Sequence, residues 1–373
     1  MNIREALKLL VDKNGSELFV SVKYPLAIKV NDKILAITSN RLTEPEVSAI
    51  IEQLLNTADY CRYKETKESN CALNIVGTGR FRMSAFVQKN DPGMVIRRIQ
   101  SNIPSLSELG MPLHLGDEIF KKKGLILLTG SAGSGKSSTM AALIDHRNIN
   151  GSGHIIMIED PVEFIHNHKQ CLVTQRDVGL DTNSYEDGIS NALRQAPSVL
   201  GIGEIRSSAV MAHALSCVET GHLCIATLHA NNSYQAIERI IHFFPKEQRE
   251  QVLMDLSLNL VAIVGQQLIE SENGDRLHPA VELMLTSPRI ADLIKRGKID
   301  ELHEAIGKSG DQGMQTFDQS LYDLYKTGKI SYDKALLHAT SSNNLRLQIK
   351  LNCGNPSDGS SGQNMDKLTI SKD

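Results

Sequence analysis

The sequence contains no tryptophan, and aromatic residues make up only 4% of its 373 residues. It also has no apolar run near the roughly 20 residues that a membrane-spanning helix needs. The first ten residues mix charged and apolar side chains and have no small-residue cleavage site, which is typical of an amphipathic helix and not of a signal peptide. We therefore expect a cytoplasmic protein with no transmembrane segment.

Cysteine is scarce, and none of the six cysteines stands in a C-x-x-C pair. In a cytoplasmic chain this spacing excludes a disulfide framework and argues against a zinc knuckle. A large charge of one sign is missing as well, because the formal net charge is only -3. The composition therefore offers no electrostatic reason to expect general affinity for nucleic acid.

The first hundred residues contain short segments that alternate polar and apolar side chains, such as Arg80–Val87. This alternation, with turns between the segments, predicts a small, mostly antiparallel α+β (PAS-like) domain over residues 1–108. A stretch punctuated by proline and glycine follows it. We interpret residues 109–120 as a linker.

Beyond the linker, continuous apolar runs alternate with helical segments over residues 121–280. This pattern is typical of a parallel sheet covered on both faces and predicts an α/β fold with a doubly wound core. Residues 281–352 are predicted to be helical, and residues 353–373, which are rich in Gly, Ser and Asn, to be disordered. The predicted core strands are Gly124–Thr129, His154–Ile158, Ser198–Gly203 and Leu223–Leu228.

The segment Gly130-Ser-Ala-Gly-Ser-Gly-Lys136-Ser137 follows one of these strands and opens a helix. In that context its backbone N–H groups form a cradle for phosphate, with the positive end of the helix dipole behind them. Lys136 would neutralise phosphate oxygens and the Ser137 hydroxyl would complete the Mg²⁺ shell, so ATP and Mg²⁺ are the expected cofactors. The predicted nucleotide-binding residues are Gly130, Ser131, Ala132, Gly133, Ser134, Gly135, Lys136, Ser137 and Ser138.

Acidic residues and a histidine follow three other strands. Glu159 and Glu163 come after the second predicted strand, Glu204 after the third and His229 after the fourth. Since the carboxyl ends of parallel strands face the ligand crevice, the first two are candidates for the base that prepares water. Glu204 is the candidate for Mg²⁺ or its water shell, and His229 for contact with the γ-phosphate. The alternative is that each acidic residue has no catalytic role and simply ends a strand or lies in a turn.

Taken in order, the phosphate loop and three later motifs resemble the Walker A, Asp box, Walker B and His box of the secretion ATPase superfamily. Two further segments are similar to the PilT-type retraction motors of type IV pili. Within that family the chain is most similar to the accessory, PilU-type branch. The segments that carry these resemblances are Ile158-Glu-Asp-Pro-Val-Glu163, Gly203-Glu-Ile-Arg206, Glu219–His229, Gly79-Arg-Phe-Arg82, Gly313–Asp318, Thr174–Asp181 and Glu238–Pro245.

The resemblance implies a RecA-like P-loop core, a homohexameric ring and nucleotide bound in a cleft between two lobes. Lys136 and Ser137 would bind phosphate and Mg²⁺, either Glu159 or Glu163 would prepare the water, Glu204 would hold the metal or its water, and His229 would sense the γ-phosphate. The arginines that would supply charge to the nucleotide are Arg82, Arg97 and Arg239. Two positions depart from the family pattern, Ser198, where Asp is usual, and Gly201, where an apolar residue is usual.

The leading functional hypothesis is a motor ATPase at the cytoplasmic face of the inner membrane. It would work on a PilC-like platform protein to drive type IV pilus retraction and twitching motility. A second hypothesis is an ATP-binding coupling ring that works only with a PilT-type retraction ATPase, and the two departures favour it. A third is a RecA-like nucleic-acid motor, which the acidic net charge disfavours.

Overall fold

The computed structural model describes residues 2–30, 33–99, 102–274 and 276–353. The predicted disordered tail lies outside these residues, apart from Cys353, the last residue of the final helix. The chain forms two compact units. The first contains the described residues of Met1–Ile103 together with Ile158–Lys169 and Val173–Gly188, and the second contains the remaining described residues.

The first unit is built on a six-stranded sheet in which every recorded pairing is antiparallel, with the strand order β3-β2-β1-β6-β5-β4. The strands are β1 Glu17–Ser21, β2 Ala27–Val30, β3 Lys33–Ala36, β4 Glu68–Ile75, β5 Gly79–Gln88 and β6 Asp91–Ile99. Its helices are α1 Ile3–Asp12, α2 Glu44–Leu54 and α3 Thr57–Thr66.

The core of the first unit follows from the alternation in its strands. Alternate residues of β5, such as Phe81 and Met83, are buried, while Arg82 between them is not. The buried residues pack with apolar residues of α1, α2 and α3, so one face of the sheet is covered by helices. Helix α1 begins with a capping box formed by Asn2 and Glu5, which satisfies two backbone N–H groups at its start.

The second unit contains most of a seven-stranded sheet with the order β13-β12-β7-β11-β10-β8-β9. Its strands are β7 Gly124–Thr129, β8 Gly153–Glu159, β9 Cys171–Asp177, β10 Val199–Ile202, β11 Leu223–Leu228, β12 Leu260–Glu270 and β13 Leu277–Leu285. The helices that follow the first unit's N-terminal segment are α4 Leu115–Glu118, α5 Lys136–Asn150, α6 Tyr185–Ala192, α7 Ser208–Glu219, α8 Ser233–Phe243, α9 Arg249–Asn259, α10 Pro288–Lys295, α11 Leu302–Gly307, α12 Phe317–Lys326, α13 Tyr332–His338 and α14 Ser342–Cys353.

This sheet is mixed and not purely parallel. β7 pairs in parallel with β11 and β12, and β10 pairs in parallel with β11, whereas β12 and β13 are antiparallel. The prediction of helix from residue 281 is therefore wrong for Val281–Leu285, which belong to β13. These residues form a strand because β12 beside them offers a full ladder of backbone partners, which the sequence pattern does not reveal.

The C-terminal helices pack on this antiparallel pair of strands. Phe317 and Leu321 of α12 share a buried cluster with Ile269 of β12 and Ala280 of β13. A side chain at Gly265 of β12 would lie 3.0 Å from the ring of Phe317, so the glycine lets the helix approach the strand closely. Among the described residues, no helix is both long enough and apolar enough to cross a membrane.

Candidate nucleotide site

The loop between β7 and α5 requires glycine at two positions. Gly130 and Gly135 have φ angles of +151° and +91°, and residues other than glycine rarely adopt this backbone conformation. A Cβ atom at Gly130 would lie 2.5 Å from the backbone oxygen of Gln266, and one at Gly135 would lie 2.9 Å from the Gln266 amide nitrogen. The loop therefore curls tightly against β12 and leads directly into α5.

Lys136 lies over the loop that precedes it. Its Nζ donates hydrogen bonds to the backbone oxygens of Gly130 at 2.9 Å and Ser131 at 2.7 Å. One turn further along α5, the buried Thr139 hydroxyl donates to the Gln266 side-chain oxygen at 2.9 Å. The loop is thus held from both sides in a compact form with a cationic group at its centre.

A cavity of about 440 Å³ borders the exposed side of the loop. Loop residues 130–134 form one wall, and Gln267 and Leu268 of β12 contribute to the rest. Asn231, just after β11, and His338, at the end of α13, also line it. The predicted loop therefore borders an open cavity that is also lined by residues of β12, of α13 and of the segment after β11.

The strand register brings the predicted Glu204 and His229 to the same edge of the sheet as the loop. Leu228, the last residue of β11, pairs with Thr129, the last residue of β7. On its other side β11 pairs with β10, with Ile202 opposite Ala226. Residues that follow β7, β10 and β11 therefore emerge side by side at the carboxyl ends of parallel strands.

Each carboxylate oxygen of Glu204 lies close to a nitrogen of another side chain. Oε2 lies 2.6 Å from an Arg206 guanidinium nitrogen, and Oε1 lies 3.2 Å from His229 Nε2. The Glu204 side chain is 13% exposed, whereas Arg206 and His229 are more exposed. The two residues predicted for the metal and for the γ-phosphate, Glu204 and His229, are thus in direct contact, and the positive charge of Arg206 balances that of the Glu204 carboxylate.

Glu159, the last residue of β8, is a buried carboxylic acid. Burial raises its pKa from an ordinary 4.5 to about 7, and the negative charges of Glu163 and Asp177 add to the rise. A hydrogen bond from the Gln175 amide, at 3.0 Å, acts in the opposite direction. Glu163 is exposed, so these two predicted bases stand in very different environments.

Two of the predicted arginines are neighbours on adjacent strands of the first unit's sheet. Arg82 on β5 lies directly opposite Arg97 on β6, and Arg97 pairs with Glu17 of β1 at 3.3 Å. Burial raises the pKa of Asp177, and the positive charge of Arg82 opposes that rise. Arg82 thus stands within electrostatic range of a buried carboxyl group.

The third predicted arginine, Arg239, has a different setting. It is exposed on α8, where its guanidinium packs over the ring of Phe243 at 5.9 Å. Its contact in this chain is with a residue of its own helix. The exposed guanidinium is available to another molecule.

Both departures from the family pattern have local partners in the structure. The Ser198 hydroxyl donates to the backbone oxygen of His154 at 3.0 Å and its N–H donates to the same oxygen at 2.7 Å. A side chain at Gly201 would lie 3.0 Å from Cγ of the buried Met157. Both departures therefore lie where β10, the strand that leads to Glu204, meets β8: Ser198 bonds to the β8 backbone, and Gly201 packs against a β8 side chain.

The sequence did not point to three residues that contact Glu159 or lie at the loop: Gln175, Gln266 and His338. Gln175 stands inside a segment that carried the family resemblance, but nothing in the pattern pointed to its side chain. Gln266 and His338 approach the loop only because β12 runs beside β7 and α13 ends near the loop. No local sequence signal reports such contacts.

The glycine-rich loop, its lysine and the Glu204–His229 pair at one sheet edge define a protein of the P-loop nucleotide-binding class. The chain belongs to the Type II/IV secretion system protein family, whose pattern matches residues 5–305. The family resemblance derived from the sequence motifs is confirmed.

Relatives match over nearly the full length of the chain. The type IV pilus ATPase PilU of Pseudomonas aeruginosa is 50% identical over 351 residues, which cover 94% of this chain and 92% of PilU. The type IV pilus retraction ATPase PilT of the same organism is 36% identical over 340 residues, which cover 90% and 97% of the two chains. The predicted similarity to the PilU-type branch is therefore confirmed.

A solved structure supports the fold. The crystal structure of the pilus retraction motor PilT with bound ADP superposes with a TM-score of 0.87 at 33% identity, covering 93% of this chain and 99% of that one. This similarity confirms the predicted α/β class of the fold.

Proposed function

We propose that the chain is a motor ATPase of a type IV pilus machine, in which ATP hydrolysis supports pilus retraction and twitching motility. The proposal rests on one observation: the loop Gly130–Ser137 and the Glu204–His229 pair lie at the same edge of the sheet. That arrangement occurs in a chain with 50% identity to a pilus ATPase over 94% of its length. The RecA-like core, residues 121–280, is part of the same proposal.

In this proposal the phosphates of ATP bind to the backbone N–H groups of the loop, with the helix dipole of α5 behind them. Lys136 Nζ exchanges its two backbone oxygen partners for phosphate oxygens, which offer a stronger charged hydrogen bond. Gln267, Leu268 and His338 border the remaining space. The residues that would contact nucleotide are those of the predicted set, 130–138.

Ser137 and Glu204 are the residues that would hold Mg²⁺. A hydroxyl and a carboxylate are oxygen donors of the type the ion prefers, and the ion would neutralise charge on the phosphate oxygens. One Glu204 oxygen already accepts a hydrogen bond from Arg206, and the other lies 3.2 Å from His229 Nε2. Glu204 therefore suits contact through a water molecule better than direct ligation.

We infer that either Glu159 or Glu163 is the general base that prepares water, and the two differ in their surroundings. A base works best when its pKa is close to the working pH, and burial raises the pKa of Glu159 to about 7. Glu163 is exposed and stays solvated. His229, which lies 3.2 Å from Glu204, would sense the γ-phosphate, and Arg82, Arg97 and Arg239 would supply positive charge.

The assembly is proposed to be a homohexamer at the cytoplasmic face of the inner membrane. Its proposed partners are a PilT-type retraction ATPase and a PilC-like platform protein. The similarity to PilU and PilT over nearly the whole chain supports this proposal. Arg239, which is exposed on α8, is a residue that a ring would place at a neighbour's site.

Lys136→Ala tests the enzymatic part of the proposal. Hydrolysis of ATP with Mg²⁺ by the purified protein should fall by at least about a hundredfold, because the substitution removes a charge aimed at the phosphates. Lys123→Ala, an exposed lysine just before β7, is the matched control and should keep wild-type turnover. Equal turnover by Lys136→Ala and the control would contradict the proposal.

A second candidate function is an ATP-binding ring that works only beside a PilT-type motor. Gly201 favours it, because a glycine inside the strand that leads to Glu204 leaves that strand without a side chain to pack. Retraction can be scored in cells of the source organism with the PilT-type gene deleted. Full retraction by this chain alone would refute the dependence, and loss of retraction despite normal ATPase activity would support it.

A further inference from the structure

The cavity beside the phosphate loop has one wall that comes from the C-terminal helices. His338, in the last turn of α13, lines it together with loop residues 130–134, Asn231, Gln267 and Leu268. All of these residues belong to the second compact unit. The family pattern matches residues 5–305 and so ends before α13 begins. A part of the chain outside the family pattern therefore reaches the loop.

His338 differs in chemistry from the other residues that line this cavity. They are small loop residues, two amides and a leucine, so the imidazole is the only side chain among these described lining residues that can become a cation near neutral pH. Within the described part of the chain, its ring has no hydrogen-bond partner. A ring N–H is therefore available to a ligand. Phosphate is the matching ligand chemistry, because its oxygens are anionic acceptors.

Helix α13 is tied to β12 one turn before His338. Lys334 Nζ donates to Glu270 Oε2 at 3.0 Å and to the backbone oxygen of Ser271 at 2.8 Å, where β12 ends. β12 also forms a wall of the cavity. The helix that carries the imidazole is thus attached to the strand that lies beside the loop.

The chain is held a second time just after His338. The backbone N–H groups of Thr340 and Ser341 donate to the two carboxylate oxygens of Asp318, at 2.7 Å and 3.0 Å. Asp318 is buried on α12. Two charged hydrogen bonds to one carboxylate fix the path of the chain as it leaves α13. The backbone that presents His338 to the cavity is therefore fixed on both sides.

We propose that His338 is a nucleotide-binding residue, which donates a hydrogen bond from its ring to an oxygen of the phosphate chain when ATP occupies the loop. The inference rests on the proposed function, because it assumes that the loop is the ATP site. It adds a contact from α13 to those supplied by the loop and α5. The C-terminal helices thereby become part of the nucleotide site.

The experiment measures the ATP affinity of the full-length protein and its His338→Ala variant by displacement of a fluorescent ATP analogue. Loss of one hydrogen bond to a charged group should weaken ATP binding about tenfold and raise KM by a similar factor. The value of kcat at saturating ATP should stay within about twofold, because the contact is made in the ground state as well as in the transition state. Unchanged ATP affinity would overturn the inference.

Two further variants separate a donor at His338 from a general disturbance of α13. Leu337→Ala is the matched control, because Leu337 is the 79% exposed neighbour on the same helix and does not line the cavity. It should bind ATP like the wild type. His338→Gln keeps an N–H donor at the end of its side chain and should bind ATP more tightly than His338→Ala. Equal weakening by Leu337→Ala and His338→Ala, or equal affinities of the two His338 variants, would contradict the proposed contact.

Inorganic triphosphate, used as the competitor in place of ATP, tests which part of the nucleotide His338 contacts. Its affinity should fall in His338→Ala by about the same factor as that of ATP, because it carries the phosphate chain without base or ribose. A variant that loses affinity for ATP but keeps it for triphosphate would place the contact at the base or the ribose. That result would overturn the phosphate contact.

Lys136→Ala separates failure of this inference from failure of the proposed function. If Lys136→Ala binds ATP as tightly as the wild type, the loop is not the ATP site and the functional proposal itself is wrong. If Lys136→Ala weakens ATP binding and His338→Ala does not, only the role of His338 is overturned.

Discussion

At the scale of single residues, Glu159 shows how burial turns a common acid into a group that titrates near neutral pH. Its ordinary pKa of 4.5 applies to the unfolded chain, while the folded chain holds a carboxyl with a pKa of about 7. Between these values the unfolded state loses its proton and the native state keeps it. The contribution of this group to stability is therefore complete below pH 4.5 and is lost as the pH rises through 7.

Glu159→Gln should therefore raise stability at pH 8 but change it little at pH 5. The amide removes the unfavourable burial of a charge, an effect of at most about 3.5 kcal/mol, since the pKa rises from 4.5 to about 7 and each pKa unit corresponds to about 1.4 kcal/mol. Thermal unfolding at the two pH values measures the difference. The exposed Glu163→Gln is the control, and a Glu159→Gln effect that is equal at pH 5 and pH 8 would count against the assigned pKa.

At the scale of elements, β10 carries a glycine at a buried position, and a side chain of the neighbouring strand β8 packs against it. Gly201 leaves room that Met157 of β8 fills, and both are completely or almost completely enclosed. Because interiors are packed closely, added volume at one position has to be removed at the other. The departure at Gly201 is thus a packing feature shared by two strands.

A double-mutant cycle tests this pairing. Gly201→Val should be tolerated better in a Met157→Ala background than in the wild type, with a coupling free energy of roughly 0.5–3 kcal/mol, as is found for residues in contact. Denaturant unfolding of the four proteins measures it. Equal effects of Gly201→Val in both backgrounds would show that the two side chains do not compete for space.

At the scale of the whole molecule, the residues proposed for catalysis are spread over both compact units. The phosphate loop, Glu204 and His229 belong to the second unit, whereas Glu159 belongs to the first. Arg239 is exposed on the surface of the second unit.

Mixing two inactive variants tests whether Arg239 acts on a neighbour's site. Lys136→Ala keeps an intact Arg239, and Arg239→Ala keeps an intact loop. A mixture should recover measurable ATPase activity, because some interfaces then combine an intact loop with an intact arginine. The double variant mixed with Lys136→Ala is the control and should stay inactive. No recovery in the first mixture, with each variant inactive alone, would mean that both residues act within one chain.

Much of the site was visible in the sequence because its parts are local. The loop needs glycine at Gly130 and Gly135, and all of the groups proposed to bind phosphate, including Lys136, lie on one short piece of backbone. The strands that carry Glu204 and His229 were also recognised, since buried parallel strands appear as continuous apolar runs. These features depend on residue type and order alone.

Other features required the folded chain. β13 was mistaken in part for helix because its hydrogen-bond partner β12 is set by the sheet and not by its own residues. The contacts of Gln266 with Thr139 and of Gln175 with Glu159 join residues 127 and 16 positions apart. The sequence by itself determined that a phosphate loop exists and which family it belongs to. Only the tertiary structure decided which carboxylate is buried and what orients it, because burial and hydrogen bonding depend on residues that meet only after folding.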